Sequence, residues 1–325
     1  MPRNRYYNGP TSAHFDGLRF HSAGLRTDRS LREILRWKRN GQRAQWPAHV
    51  PVTPVQPPAR SNQARITMVG HSSTLIQIAG LNILTDPVWS HRASPVRFAG
   101  PKRVIQPGIR FEDLPEIDIV LISHNHYDHL DIATLRRIEA VHQPLFILPL
   151  GTDATLAPVV PRARLRSGDW HDRIEATPEC RIILTPAHHW SARGLGDRRM
   201  ALWCGFWIET AAGRIWFAGD TGYGDGAIFR QIHTDHGAPD IALIPIGAYA
   251  PRWFMAEQHV GPEEAVRIFQ DVGTAHGLGI HWGTFQLTDE PREEPVTLLA
   301  QHMDAAGIAQ ERFRAFAPAD VFIKP

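Results

Sequence analysis

The stretch that most constrains this 325-residue chain is Leu121-Ile-Ser-His-Asn-His-Tyr-Asp-His-Leu-Asp131. It puts four metal-ligating side chains, His124, His126, Asp128 and His129, within six residues. They follow Asp118-Ile-Val-Leu-Ile-Ser123, an apolar, β-branched run of strand length, so the ligands are expected on the loop at a strand's end. Alternate residues of an extended chain share a face, which lets His124 and His126 converge while a turn swings Asp128 and His129 toward a second point. One loop can therefore serve two cations. Three imidazoles and a carboxylate this close repel one another or stay unsatisfied without a cation. Imidazole and carboxylate without thiolate suit zinc first, with manganese or iron as alternatives, and an active centre keeps positions for water and substrate.

His124-Asn-His-Tyr-Asp-His129 resembles the HxHxDH signature of the metallo-β-lactamase superfamily of dinuclear hydrolases. Leu84-Thr-Asp-Pro87, His189-Trp-Ser191, Phe217-Ala-Gly-Asp-Thr-Gly-Tyr223, Ile244-Pro-Ile-Gly-Ala-Tyr249 and Ile280-His-Trp-Gly-Thr-Phe285 stand in that superfamily's order. The resemblance covers roughly residues 64 to 290. Within the superfamily the chain is most similar to N-acylphosphatidylethanolamine-hydrolysing phospholipase D and its bacterial relatives, through Pro251-Arg-Trp-Phe-Met255 and the Ile280–Phe285 block. The resemblance implies an α/β fold, an αββα sandwich of two mixed sheets flanked by helices. It also implies that His124, His126 and His189 hold one metal, that Asp128, His129 and His281 hold the other, and that Asp220 bridges them. Of the adjacent His188 and His189 only one can face a site from an extended backbone; the resemblance selects His189 and leaves His188 facing solvent.

Around this frame the chain divides into an arm with a linker, residues 1–60, packed on a hydrolase domain, residues 61–325. In the arm, Ser30 is suited to cap a helix from Leu31 to about Asn40, whose stripe of Leu31, Ile34, Leu35 and Trp37 is expected to pack on the core. The rival reading is a lipid-facing lip, which Arg32 and Arg36 suit. The proline-rich stretch from Pro47 to Pro58 reads as an extended linker. Arg65–Val69, Thr74–Ile78 and Leu81–Leu84 read as antiparallel hairpins. Asp86 either satisfies a turn or orients a ligand histidine, and His71 is expected to stay outside the site. Later strands are expected at 145–148, 181–185, 201–209, 214–218, 240–246 and 278–282, with a closing strand from Phe313 to Ile323. Helices are expected at 132–141, 262–272 and 295–308. Gly247 to Met255 reads as an exposed aromatic loop.

Two cations a few ångströms apart lower the pKa of a shared water, the expected nucleophile, and clamp both oxygens of a displacement. No Gly-x-Ser-x-Gly elbow offers a competing nucleophile. The resemblance thus implies a phosphodiesterase acting on an N-acylated phosphatidylethanolamine-like lipid, with Asp128 and Asp220 as catalytic candidates; His259, a polar residue near the later ligand loops, is a further candidate, for leaving-group protonation. Tyr249, Arg252 and Trp253 are the candidates for substrate contact. Hydrolysis of a lactone or β-lactam by the same metals is the first alternative, and a non-hydrolytic diiron or silent metal-binding module is the second. With 43% hydrophobic residues the chain can bury a large core. A net charge of +2 without a basic run argues against a nucleic-acid partner. Cys180 and Cys204 are the only cysteines, so a reducing, cytoplasmic compartment is expected, with peripheral contact to a membrane surface allowed. The expected partner is a phospholipid or a small ester or phosphodiester. Lys38, Lys102 and Lys324 are the only lysines, so nearly all positive charge is arginine, which favours phosphate recognition.

Overall fold

The structure, a computed structural model, describes residues 3–22 and 27–324. In chain order, α1 (Leu31–Asn40) is followed by β1 (Arg65–Gly70), β2 (Ser73–Ile78) and β3 (Leu81–Thr85). Then come β4 (Ile119–Leu121), α2 (Ile132–His142), β5 (Leu145–Pro149), α3 (Asp153–Leu156) and β6 (Arg164–Gly168). The second half runs β7 (Arg173–Thr177), β8 (Cys180–Thr185), β9 (Gly205–Thr210), β10 (Gly213–Phe217), α4 (Ala227–His236), β11 (Ile241–Pro245) and α5 (Arg252–Met255). It closes with α6 (Pro262–Asp271), β12 (His276–Ile280), α7 (Glu294–Ala305), β13 (Phe313–Ala315) and β14 (Val321–Ile323).

Two seven-stranded sheets result, ordered β14-β1-β2-β3-β4-β5-β6 and β13-β12-β11-β10-β9-β8-β7. Each is antiparallel on one side, where short turns join β1 to β2, β2 to β3, β7 to β8 and β9 to β10, and, counted from that side, parallel from its fourth strand onward. Parallel neighbours require crossovers; α2, α4, α6 and α7 supply four, α3 lies in a fifth, and the loop from 86 to 118 makes the crossover from β3 to β4. The layer between the sheets is built by alternate strand positions, including Ile66 and Met68, Ile182 and Leu184, Ile215 and Phe217, and Leu278 and Ile280. A second cluster, including Phe229, Ile268 and Leu299, packs α4, α6 and α7 on one outer face, and a third, including Leu135 and Ile138, packs α2 on the other. This is the αββα sandwich implied by the resemblance. No described helix is long and apolar enough to cross a membrane.

Several local expectations are corrected. The closing strand from Phe313 to Ile323 is two strands in different sheets, because the chain turns at Ala317–Asp320 and crosses from one sheet to the other. Residues 201–204 are not strand, and the hairpin β7–β8 begins before the strand read from the sequence. His188 does not face solvent: it is 9% exposed, with its ring against Gly224 and Phe229. In the stretch from Gly247 to Met255, Ala248, Tyr249, Phe254 and Met255 are buried, and only Trp253 is substantially exposed, at 42%.

In the arm, Ser30 caps α1 through a capping box with Glu33, as its sequence suits it to do. The apolar stripe does not reach the core, however. No residue of α1 is buried, and Leu31 and Leu35 are 78% and 65% exposed. Trp37 docks on the domain, with Nε1 donating to Asp289 at 2.6 Å and its ring 4.8 Å from that of Phe254. Upstream, Asn4 donates to the carbonyls of Leu18 and Met200, and Phe15 and Phe20 pack with Ala187, Leu202 and Trp203.

Candidate metal centre

The strand ends deliver the candidate ligands to one place. His124, His126, Asp128 and His129 follow β4, His189 follows β8, Asp220 follows β10 and His281 follows β12. Polar side chains gather at the carboxyl ends of parallel strands because loops there are free to carry them while the strands fix their roots. His281 sits at φ +63 and His71, in the β1–β2 turn, at φ +59. The left-handed backbone is unusual for histidine and turns both rings inward. They lie 4.0 Å apart, centroid to centroid.

In the first group His124 Nε2 lies 2.8 Å from His126 Nδ1, which is 3.2 Å from His189 Nε2. In the second, His129 Nε2 and His281 Nε2 are 3.2 Å apart, and Asp128 Oδ2 is 3.4 Å from the former and 3.6 Å from the latter. Two nitrogens held about 2.0–2.1 Å from a tetrahedral ion lie roughly 3.3 Å apart, which the 3.2 Å spacings of His126 to His189 and of His129 to His281 match, while His124 and His126 stand closer than that. Asp220 stands between the groups, with Oδ2 at 3.2 Å from His129, 3.1 Å from His281 and 3.7 Å from His189. Its Oδ1 is buried without a partner among the described residues. Such an orphan acceptor is costly in a dry site, and a cation satisfies it.

The far nitrogens of the ligand histidines are held in turn. His189 Nδ1 donates to the Gln258 carbonyl at 3.0 Å. His129 Nδ1 donates to Asp86 at 2.7 Å, and Ser123 Oγ, 2.9 Å from His124 Nδ1, donates to the same carboxylate at 2.6 Å. Asp86 thus both satisfies the Ser123 backbone N–H, at 2.7 Å, and orients a ligand histidine. The sequence left these two roles as alternatives.

Charge follows the same division. Burial pushes His126 and His189 down to about 3 and His124 well below its usual value, so all three are neutral imidazoles, the form that binds metal. Burial also opposes charge on His129 and His281, but Asp220 and Asp128 outweigh it. They hold His129 well above the ordinary histidine range and raise His281 to about 9. Those protons offset the carboxylates that a metal would otherwise neutralise. The buried His/Asp groups together suit two metal ions: His71, Asp128, His129 and His281 on one side, His124, His126 and His189 on the other, with Asp220 shared.

His71 enters this arrangement against expectation. Its Nε2 is 2.9 Å from Asp128 Oδ2, and Gly70 and Ser72 give no sign of the left-handed turn that puts it there. His259 lies beside the centre, Nδ1 3.8 Å from Asp220. The three substrate candidates do not line the groove over the centre. Arg252 is taken by Glu264, at 2.7 and 2.8 Å, and donates to the His259 carbonyl at 2.8 Å. Tyr249 is buried and donates to Glu294 at 2.6 Å. Trp253 lies under the Arg36 guanidinium, 4.8 Å from its ring centre, and lines a separate cleft beneath α1. The groove itself, about 290 Å³, opens onto His126, Asp128, Asp220 and His259 and is walled by Trp37, Tyr127, Trp190, Phe254, Met255 and Leu287.

Fold and site together define a class: two mixed sheets in an αββα sandwich, carrying a paired His/Asp metal centre at the strand ends. A model of the β-lactamase superfamily domain matches residues 81–282, and the chain belongs to the metallo-β-lactamase superfamily. It is 40% identical over 243 residues to a Mycobacterium tuberculosis protein described only as uncharacterized, a match spanning 74% of this chain and 64% of that protein. It is 38% identical over 248 residues to N-acyl-phosphatidylethanolamine-hydrolyzing phospholipase D 1 of Caenorhabditis elegans, spanning 74% of this chain and 69% of that one. Among solved structures, an isothiocyanate hydrolase from Delia radicum gut bacteria superimposes with a TM-score of 0.62 at 22% identity, over 79% of this chain and 98% of its own. The chain thus spans just under two thirds of the mycobacterial relative.

Proposed function

We propose that this chain is a metal-dependent phosphodiesterase of the N-acylphosphatidylethanolamine phospholipase D type. The observation that carries the reading is the apolar wall of Trp37, Trp190, Phe254, Met255 and Leu287 beside an anion-seeking metal centre. A phosphate fits the centre and a long acyl chain fits the wall, each buried methylene contributing about 0.8 kcal/mol. The similarity to the Caenorhabditis elegans phospholipase supports the same substrate class.

His124, His126 and His189 would hold one ion, Asp128, His129 and His281 the other, and Asp220 both. Bound there, two divalent ions would supply Lewis acidity to phosphate oxygens and lower the pKa of water. His71 fixes Asp128 from behind, and Asp86 fixes His129 directly and His124 through Ser123. Water oxygen attacks phosphorus, the bond to the N-acylethanolamine oxygen breaks, and the proton lost by water ends on that oxygen, leaving phosphatidate. His259, neutral and next to Asp220, is the side chain placed to carry that proton. Arg252 holds the His259 backbone while its charge is spent on Glu264.

The test compares kcat/KM of metal-loaded protein on N-acylphosphatidylethanolamine, bis(4-nitrophenyl) phosphate, a lactone and a cephalosporin. The reading expects the lipid first and the carbonyl substrates last. A lactone or cephalosporin turned over faster than either phosphodiester sinks it.

A further inference from the structure

Beside the metal groove lies a wider one of about 520 Å³, between the loop from Ser90 to Arg97 and the start of α2. Tyr127, set between His126 and Asp128 in the chain, lines both grooves, and Ala93 of the metal groove sits between Arg92 and Ser94 of the other. Four guanidinium groups line the wider groove: Arg92, Arg97, Arg136 and Arg193. Among the described residues none of them is ion-paired, whereas Arg137, next in the chain, pairs with Glu112 at 3.0 Å.

Their remaining hydrogen-bonding capacity is large. Arg193 is fixed, its Nη1 donating to the carbonyls of Asn125 and Leu130 and its plane 4.0 Å from the Tyr127 ring centre. Arg92 spends one nitrogen on the Gly100 carbonyl and Arg136 one on the Val159 carbonyl, while Arg97 makes no hydrogen bond to the described residues. The one acid in the lining, Asp131, already accepts from Ala133, Thr134 and the Ser90 backbone. Four guanidinium groups facing one carboxylate leave an excess of positive charge that disfavours the folded state, and an oxyanion removes that cost. Burial, then Lys102, Arg92 and Arg103, press the His91 imidazole below its usual range. Along the same loop Val96 and Phe98 are exposed, Phe98 at 84%.

We propose that this groove is a second phosphate subsite beside the metal centre. It takes the phosphate of an amphiphile, either a neighbouring phospholipid in the surface that presents the substrate or the free phosphate group of a small molecule. Guanidinium forks match phosphate oxygens, and the exposed apolar loop suits the rest of a lipid. The groove is argued independently of the phosphodiesterase reading; only its relevance to catalysis rests on that reading.

The test is a calorimetric titration of metal-loaded protein with inorganic phosphate, using the wild type and the double variant Arg97→Gln/Arg136→Gln. Both side chains are exposed, and a melting curve checks the fold. The expected result is two phosphate ions per wild-type chain and one per variant chain, with the second site at least roughly tenfold weaker in the variant and weakened by salt. One ion per chain in both proteins, at equal affinity, overturns the proposal whether or not the protein hydrolyses phosphodiesters. Co-sedimentation with phosphatidylcholine vesicles, with and without phosphatidate, separates the sources. Phosphatidate-dependent binding lost in the variant marks a lipid headgroup, and binding of inorganic phosphate alone marks the free anion.

Discussion

His129 Nδ1 donates to Asp86 at 2.7 Å while its Nε2 lies 3.2 Å from Asp220, so one imidazole joins a fully buried carboxylate to the middle of the proposed centre. Asp86 reaches the other group as well, through Ser123 Oγ and His124 Nδ1. An Asp86→Asn protein places an amide where a carboxylate accepts three hydrogen bonds. The expected effect is a fall in metal affinity of about 10- to 100-fold, felt at both ions, with some loss of melting temperature. Competition with a chromophoric chelator measures it. Loss confined to one ion would show that the Ser123 link carries nothing.

Asp220→Asn is expected to spare the fold and harm the centre. The amide keeps shape and a neutral oxygen but loses the charge that faces His129, His281 and His189. Metal content should fall and turnover should drop by at least roughly a hundredfold, a difference of about 2.7 kcal/mol in the barrier. Wild-type turnover with both ions retained would make Asp220 a turn residue.

The positions of Trp37 and Trp253 reverse the roles expected from the sequence, which put Trp37 in a stripe packing on the core and Trp253 among the substrate contacts. Trp37 lines the metal groove and Trp253 does not. Trp37→Ala should therefore lower kcat/KM for long-chain N-acyl substrates more than for short-chain ones, whereas Trp253→Ala should leave the chain-length dependence unchanged. Equal effects of the two substitutions would place the acyl chain elsewhere.

At the arm's docking point, Asp28 pairs with Arg198 at 2.6 Å and with Arg199 at 2.7 Å. Burial alone would raise its pKa, but the two guanidinium groups outweigh burial and hold it below the ordinary aspartate range. A carboxyl whose folded pKa is depressed adds stability above its unfolded value, and that stability disappears as pH falls through the folded value. The arm should therefore become more sensitive to proteolysis as pH drops below about 4, and Asp28→Asn should show the same sensitivity at neutral pH. An unchanged cleavage pattern across that range would contradict the assignment.

How far the sequence discloses this molecule varies with the physics of each part. The ligand loop is legible because His124, His126, Asp128 and His129 are adjacent in the chain, and the strand before them is a plain apolar run. The matching of the two sheets is hidden. Asp86 after β3 and Asp220 after β10 occupy like places in sheets of like order, yet the residues around them differ. His71 is hidden for another reason: its approach depends on a φ of +59, which no neighbouring side chain announces. The charge of Arg252 and the hydroxyl of Tyr249 suggest ligand contact in the sequence, which does not disclose that Glu264 and Glu294 accept hydrogen bonds from them in the fold. The apolar stripe of α1 predicts its helix and not its burial, because periodicity fixes a face without saying what covers it.

Metal stoichiometry tests the central claim most directly. Elemental analysis of protein purified without chelator and supplied with divalent metal should give close to two ions per wild-type chain. The His281→Ala protein should give close to one, because His124, His126 and His189 form a group of their own. One ion or none in the wild type, under conditions that saturate the protein, would contradict the dinuclear centre.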